Sequence, residues 1–198
     1  SKNGAVSTLN ALQLTPASYI SFLVLYRYYD RRYQALFGNA FSQGSTVQNE
    51  QGVYMGFQLT PIARWKLSVY ADLFRFPWLK YGIDAPSGGQ EYMAQIDYTP
   101  SRNYSAYLRY KYRQKEKNGT FENDNLLKIN TCKQHRIRFQ QVYNFSSPFI
   151  FKTSLDGILF DDPIKKLNKG IMISQSIGWK PTTLPLQIDG YLAWFYTD

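Results

Sequence analysis

Apolar and polar residues alternate along most of this chain, and this alternation constrains the fold more than any other feature. In the run from Trp65 to Leu73 every odd position is apolar, and the even positions are Lys, Ser, Tyr and Asp. Successive side chains of a β-strand point to opposite faces, so such a run gives a strand with one apolar and one polar face. The same pattern recurs in 53–60, 104–113, 136–144, 149–159 and 186–194. The sequence therefore predicts an all-β protein.

The connections between these runs are of two kinds. Tight corners lie at Thr15-Pro16, Thr60-Pro61, Thr99-Pro100, 145–148 and 179–181. Long polar segments span 27–51, 75–90, 114–133 and 161–169. Short turns at one end and long loops at the other predict an antiparallel up-and-down meander and are typical of transmembrane β-barrels. We expect about ten strands, an even number as in single-chain barrels, in one domain or barrel fragment over residues 1–198.

Two properties favour a membrane barrel over a soluble barrel that hides its apolar face inside. The runs approach the ~9–11 residues that cross a bilayer as a tilted strand, whereas soluble strands usually have about 5–6. Aromatic residues also gather at both ends of the runs, where amphipathic rings favour the two bilayer interfaces. Trp65 and Trp179 stand near tight turns, and Tyr26, Phe74 and Phe76 stand near long loops. No apolar stretch approaches the ~20 residues of a membrane helix.

Three blocks of sequence carry a resemblance to known proteins: 29–41, 49–56 and 70–87. The second block reads Asn-Glu-Gln-Gly-Val-Tyr-Met-Gly, and the third contains Phe-Arg-Phe-Pro-Trp-Leu-Lys-Tyr-Gly. Together they resemble a family of large outer-membrane proteins of the Bacteroidota, which carry an N-terminal helix-hairpin-helix region and a long β-barrel part. The resemblance implies that this chain is an interior slice of that barrel. The barrel would close through the chain's first and last runs or through strands outside it. The resemblance implies no activity.

Residues that commonly carry catalysis or bind metals are scarce. His135 is the only histidine and Cys132 the only cysteine, which excludes a two-histidine metal site and an internal disulfide within this chain. His135 shares the parity of Ile137 and Phe139, so we predict it on the apolar face close to a loop. A Ser-His-Asp hydrolase stays formally open. We nevertheless expect a protein that is not an enzyme and has no catalytic residues, metal or cofactor.

The charged residues form the one constellation that suggests a function. A net charge of +9 favours anionic partners. The predicted lumen-lining charged wall consists of Arg109, Lys111, Arg113, Arg136, Arg138, Lys152, Asp72, Glu91, Asp97 and Asp156. Opposite charges on this wall can pair across strands and fix the register, or the cations can form a path that attracts anions. We favour pairing because acids are interspersed. We expect no specific nucleic-acid contact because no aromatic stacking platform accompanies the bases.

Arg27, Arg31 and Arg32 stand where the second strand leaves the predicted membrane, and we expect them to meet phosphates of lipopolysaccharide. The expected function is that of a porin-like β-barrel of the bacterial outer membrane, related to transport and in contact with outer-membrane lipid and lipopolysaccharide. One alternative is a structural or assembly component of a larger complex with other outer-membrane protein chains. The other is a soluble, lipocalin-like carrier.

Overall fold

The computed structural model describes residues 4–34, 40–120, 127–145, 148–163, 167–181 and 185–198. Within these ranges the chain is all-β, with ten strands and no helix. The strands are β1 (Ser7–Ala17), β2 (Ile20–Tyr29), β3 (Glu50–Ile62), β4 (Trp65–Phe76), β5 (Ser87–Ser101), β6 (Tyr104–Thr120), β7 (Leu127–Asn144), β8 (Phe149–Asp161), β9 (Asn168–Trp179) and β10 (Ile188–Thr197). None of the described residues forms a helix long and apolar enough to cross a membrane.

All ten strands belong to one sheet, in which each strand pairs with its neighbours in the chain. Every pairing is antiparallel, from β1–β2 at one edge to β9–β10 at the other. The antiparallel up-and-down meander predicted from the alternating runs is therefore confirmed. The strand order ends at β1 and β10, so the sheet does not close on itself.

The three Thr-Pro corners have a common structure. In each, the pairing register shifts just before the tight turn, between Leu14 and Ala17, between Leu59 and Ile62, and between Tyr98 and Ser101. Proline has no N–H to give to a ladder and is therefore confined to bulges and strand ends. Neighbouring corners are also joined, because the Thr60 N–H donates to the Tyr19 carbonyl at 2.8 Å and the Thr99 N–H to the Arg64 carbonyl at 2.8 Å.

The register sorts the side chains onto two faces, which we call the apolar face and the polar face. Val24, Met55 and Ala71 lie side by side on the apolar face of β2, β3 and β4, as the alternation predicts. Large apolar residues of this face are 41–53% exposed: Phe22, Val24, Met55, Leu73, Ile96, Leu108, Ile137, Leu155 and Ile173. The sheet therefore presents a broad apolar surface that nothing in the described chain covers.

The best-buried side chains lie on the polar face, at the end of the sheet that carries the long loops. They include charged and aromatic residues: Arg27, Glu50, Asp72, Glu91, Phe74 and Phe76. Residues 40–49, between β2 and β3, pack against this part of the face and bury it. The expected place of Phe74 and Phe76 in an aromatic belt is wrong, because both rings are buried on the polar face.

Candidate functional site

Carboxylates and cations of the polar face meet across neighbouring strands. Asp72, Glu91 and Arg113 stand directly opposite one another on β4, β5 and β6. Lys111 Nζ lies 2.8 Å from Glu91 Oε1, Arg113 Nε lies 3.3 Å from Glu91 Oε2, and the Tyr70 hydroxyl donates to Glu91 at 2.6 Å. Glu91 thus balances two cations at once, which is what cross-strand pairing requires.

A second carboxylate has the same role between β7 and β8. Arg138 and Asp156 are direct cross-strand partners, and Arg138 Nε donates to Asp156 Oδ1 at 2.6 Å. Arg136 Nε lies 3.8 Å from the same oxygen. Asp156 is 8% exposed, so its charge is largely withdrawn from solvent and depends on these two guanidinium groups.

Between these two carboxylates four cations stand together, and we call them the cation patch: Arg109, Lys111, Arg136 and Arg138. Arg109 lies directly opposite Arg138, and Lys111 lies directly opposite Arg136. Like charges placed directly opposite each other on a sheet repel and destabilise the pairing. Glu91 and Asp156 flank the patch on its two sides but leave it with excess positive charge.

The remaining predicted wall residues also lie on the polar face. Arg109 Nε donates to Gln95 Oε1 at 2.6 Å, and Gln95 Nε2 donates to Asp97 Oδ1 at 2.6 Å. Lys152, closer to the tight turns, is exposed and forms no ion pair with any residue that the structure describes. The polar face therefore combines paired charges at its margins with unpaired cations in its middle.

The most deeply buried group of this face holds the segment that follows β2. Arg27 is fully buried; its Nε lies 2.6 Å from Glu50 Oε1, and its Nη1 and Nη2 lie 2.7 Å and 3.2 Å from the two oxygens of Asp72. Gln43 joins them, because its backbone N–H donates to Glu50 at 2.9 Å and its Nε2 donates to Asp72 Oδ2 at 2.8 Å. We call Arg27, Gln43, Glu50 and Asp72 the anchor cluster.

The loop segment 40–49 completes the hydrogen bonds of Glu50. The Ser42 hydroxyl donates to Glu50 Oε2 at 2.6 Å, and the Gly44 N–H donates to the same oxygen at 3.0 Å. A buried carboxylate keeps its charge only when its oxygens are satisfied in this way. The anchor cluster therefore fixes residues 42–44 on the polar face as a cover over part of it.

Two glycines make room for this arrangement. Gly52 lies between Arg27 and Phe74 in the register, and a Cβ atom at Gly52 would stand 2.6 Å from Arg27 Cζ. Gly89 lies beside Phe74, and a Cβ there would stand 2.5 Å from Phe74 Cζ. A glycine inside a strand often marks such a close approach. The guanidinium of Arg27 reaches Asp72 across the bare backbone of Gly52.

The three arginines expected to face lipopolysaccharide do not act together. Arg27 is wrong for that role, because its guanidinium is fully buried against Glu50 and Asp72. Arg31 and Arg32 are exposed in the loop after β2, where the Arg31 guanidinium lies 4.6 Å from the Trp78 ring.

The chemically reactive residues lie apart from the charged face's centre. His135 lies on the apolar face, where its Nδ1 is 2.8 Å from the Tyr110 hydroxyl, and Cys132 is buried. Among the residues that the structure describes, no three His, Cys, Asp or Glu side chains form a group that could hold a metal ion.

Gln43 is the main site residue that the sequence did not indicate. It lies in an irregular polar segment with no periodicity, and its partners lie 29 and 70 positions away at Asp72 and Arg113. Gly52 gave a usable signal, since a glycine within an alternating strand indicates close approach of another group.

No protein-family model, no curated protein and no solved structure matches this chain.

Proposed function

We propose that this chain forms part or all of the wall of a bacterial outer-membrane β-barrel, with its apolar face toward lipid and its polar face toward an aqueous lumen. One observation carries the proposal: the large apolar residues are exposed, whereas the buried residues and ion pairs are on the opposite face. In water an apolar surface of this breadth would drive association. A lipocalin-like carrier would instead enclose its apolar face.

The dimensions of the strands fit this setting. The band in lipid would run from the residues beside the tight turns to the row that contains Tyr92 and Tyr112, which lie on the apolar face of β5 and β6. Residues 113–120 of β6 would then project beyond the membrane, toward the long loops. The free edges of β1 and β10 would pair with each other or with further strands, because unpaired backbone groups in lipid cost several kcal/mol each.

The cation patch supports passage of solutes as the role of the barrel. Arg109 opposite Arg138 and Lys111 opposite Arg136 repel each other unless water or anions screen them. Groups of Arg and Lys that line a pore attract anions. We therefore propose a transport-related barrel that prefers anionic solutes and has no enzymatic activity. The fixed cover formed by residues 42–44 favours the second candidate, a scaffold whose lumen is partly closed.

Tryptophan fluorescence tests the membrane setting. Trp194 stands beside Ile173 and in the same row as Leu155, in the middle of the strands, whereas Trp65 adjoins a tight turn. In single-tryptophan variants refolded into vesicles, lipids brominated deep in their chains should quench Trp194 most, and lipids brominated near the headgroup should quench Trp65 most. Equal and weak quenching of both residues would show that the apolar face does not meet lipid.

Planar-bilayer conductance tests passage. Arg136→Glu and Arg138→Glu replace two cations of the patch with acids, so ion selectivity should shift from anions toward cations. Lys169→Glu is the matched control: it makes the same change of charge on the apolar face, opposite Leu159, and should leave selectivity unchanged. Bilayers that stay silent with the wild type and with every variant would favour the scaffold over the pore.

A further inference from the structure

A second group of cations lies at the long-loop end of the polar face, beside Gln43. Lys115 Nζ donates to the Gln43 carbonyl oxygen at 3.0 Å, and Arg113 Nη2 donates to Gln43 Oε1 at 3.0 Å. Both acceptors are neutral. Two positive charges are thus directed at one uncharged residue.

Lys80, in the connection between β4 and β5, adds a third cation. Its Nζ lies 3.5 Å from the centre of the Phe76 ring, and Phe76 packs edge-on against Phe74 with the ring centres 5.8 Å apart. Lys115 Nζ lies 5.2 Å from the centre of the Phe74 ring. Two ammonium groups therefore rest against one pair of aromatic rings, which attract cations but do not neutralise them.

A cavity opens beside these groups, between the loop segment 40–49 and the β4–β5 connection. Its volume is ≈ 340 Å³, and its lining includes Gln43, Ser45, Thr46, Phe76 and Lys80. The hydroxyl groups of Ser45 and Thr46 are hydrogen-bond donors of the kind that hold oxyanions together with lysine. The cavity is large enough for a small solute with several oxygens.

The nearby carboxylates are already engaged. Glu50 accepts hydrogen bonds from Arg27, Ser42, Gln43 and Gly44. Glu91 is occupied by other partners, described above. Within the described ranges of the chain, neither Lys80 nor Lys115 forms an ion pair with a carboxylate.

The two lysines carry the electrostatic mark of this imbalance. Lys115 lies in the part of β6 that projects beyond the proposed membrane band. Burial, and then the charges of Arg113 and Lys80, lower its pKa to about 8, while Glu91 and Glu50 act weakly in the opposite direction. Burial likewise lowers the pKa of Lys80. An anion in the cavity would relieve both effects.

We infer that this cavity is a binding site for a phosphate-type oxyanion, held by the ammonium groups of Lys80 and Lys115 and by the hydroxyl groups of Ser45 and Thr46. The site stands on the loop segment and the cations around it, so it does not depend on the membrane setting or on conduction. The same chemistry fits a free phosphate or sulfate ion and the phosphate group of a larger solute.

Titration calorimetry with inorganic sulfate and inorganic phosphate, on the full chain refolded in detergent, tests the site. Lys80→Gln and Lys115→Gln should each weaken binding by about tenfold or more, as expected for loss of a charge-assisted hydrogen bond. Lys117→Gln is the matched control: it removes the same charge two positions along β6, where the Lys117 Nζ lies 5.3 Å from the Phe160 ring centre. It should leave affinity unchanged.

Two further arms keep the result unambiguous. Lys115→Arg should restore most of the affinity lost in Lys115→Gln, and an unchanged far-UV circular dichroism spectrum shows that the variants fold. Addition of lipopolysaccharide separates the sources of phosphate: displacement of bound sulfate identifies a lipid head group, and no displacement identifies a soluble anion. Equal loss of affinity in Lys117→Gln, or no heat of binding with either anion, would overturn the inference.

Discussion

Replacing Asp72 with alanine should lower the free energy of unfolding by about 3–5 kcal/mol, the usual cost of removing one partner from a buried ion pair. Arg27 is fully buried, and Asp72 receives two of its hydrogen bonds at 2.7 Å and 3.2 Å. Without Asp72 the guanidinium stays away from water with Glu50 as its remaining carboxylate. Denaturant unfolding in vesicles, followed by tryptophan fluorescence, measures the loss.

Asp97→Ala supplies the comparison for this experiment. Asp97 is another carboxylate of the polar face, but it is only half-buried and is hydrogen-bonded to Gln95 rather than to a buried cation. Its loss should cost much less than the loss of Asp72. Similar costs for the two variants would mean that the anchor cluster does not hold the fold.

Val69→Arg should cost about 2–4 kcal/mol in a lipid bilayer, because it places a charge on the lipid face near the middle of the membrane. Val69 lies on the apolar face between Phe57 and Ala94. Ser68→Arg, one residue earlier, puts the same side chain on the polar face and should cost far less. The unfolding free energies of both variants, measured in the same vesicles, give the difference.

The sign of that difference also distinguishes the possible settings. If Ser68→Arg is the more damaging change, the polar face is the packed interior of a soluble protein and the membrane proposal fails. If both changes are mild, neither face meets lipid or a packed core at this point of β4.

Strands, faces and topology could be predicted because their signals are local. A period of two residues fixes which side chains share a face, and the Thr-Pro corners fix where neighbouring strands turn. Parity alone also placed His135 on the same face as Ile137, as the structure has it. Phe74 could have been placed correctly by the same rule, since it has the opposite parity to Leu73.

The anchor cluster could not be predicted, because its members come from distant and irregular parts of the chain. Arg27 and Asp72 are 45 positions apart, and Gln43 reaches both β4 and β6 from a segment without periodicity. Arg27 looked like a loop-end arginine available to phosphate. Only the partner carboxylates, which the register brings beside Gly52, show that it belongs to the interior of the polar face.

The meander has a consequence for the order in which the protein folds. Each strand pairs only with the strand before and after it, so the sheet can grow one hairpin at a time without any distant segment being found first. Residues 42–44 are an exception. Gln43 emerges early in the chain, yet it is held by Arg113 and Lys115, 70 and 72 positions later. It can reach its final position only after β6 has joined the sheet, so its arrival marks a late step of folding.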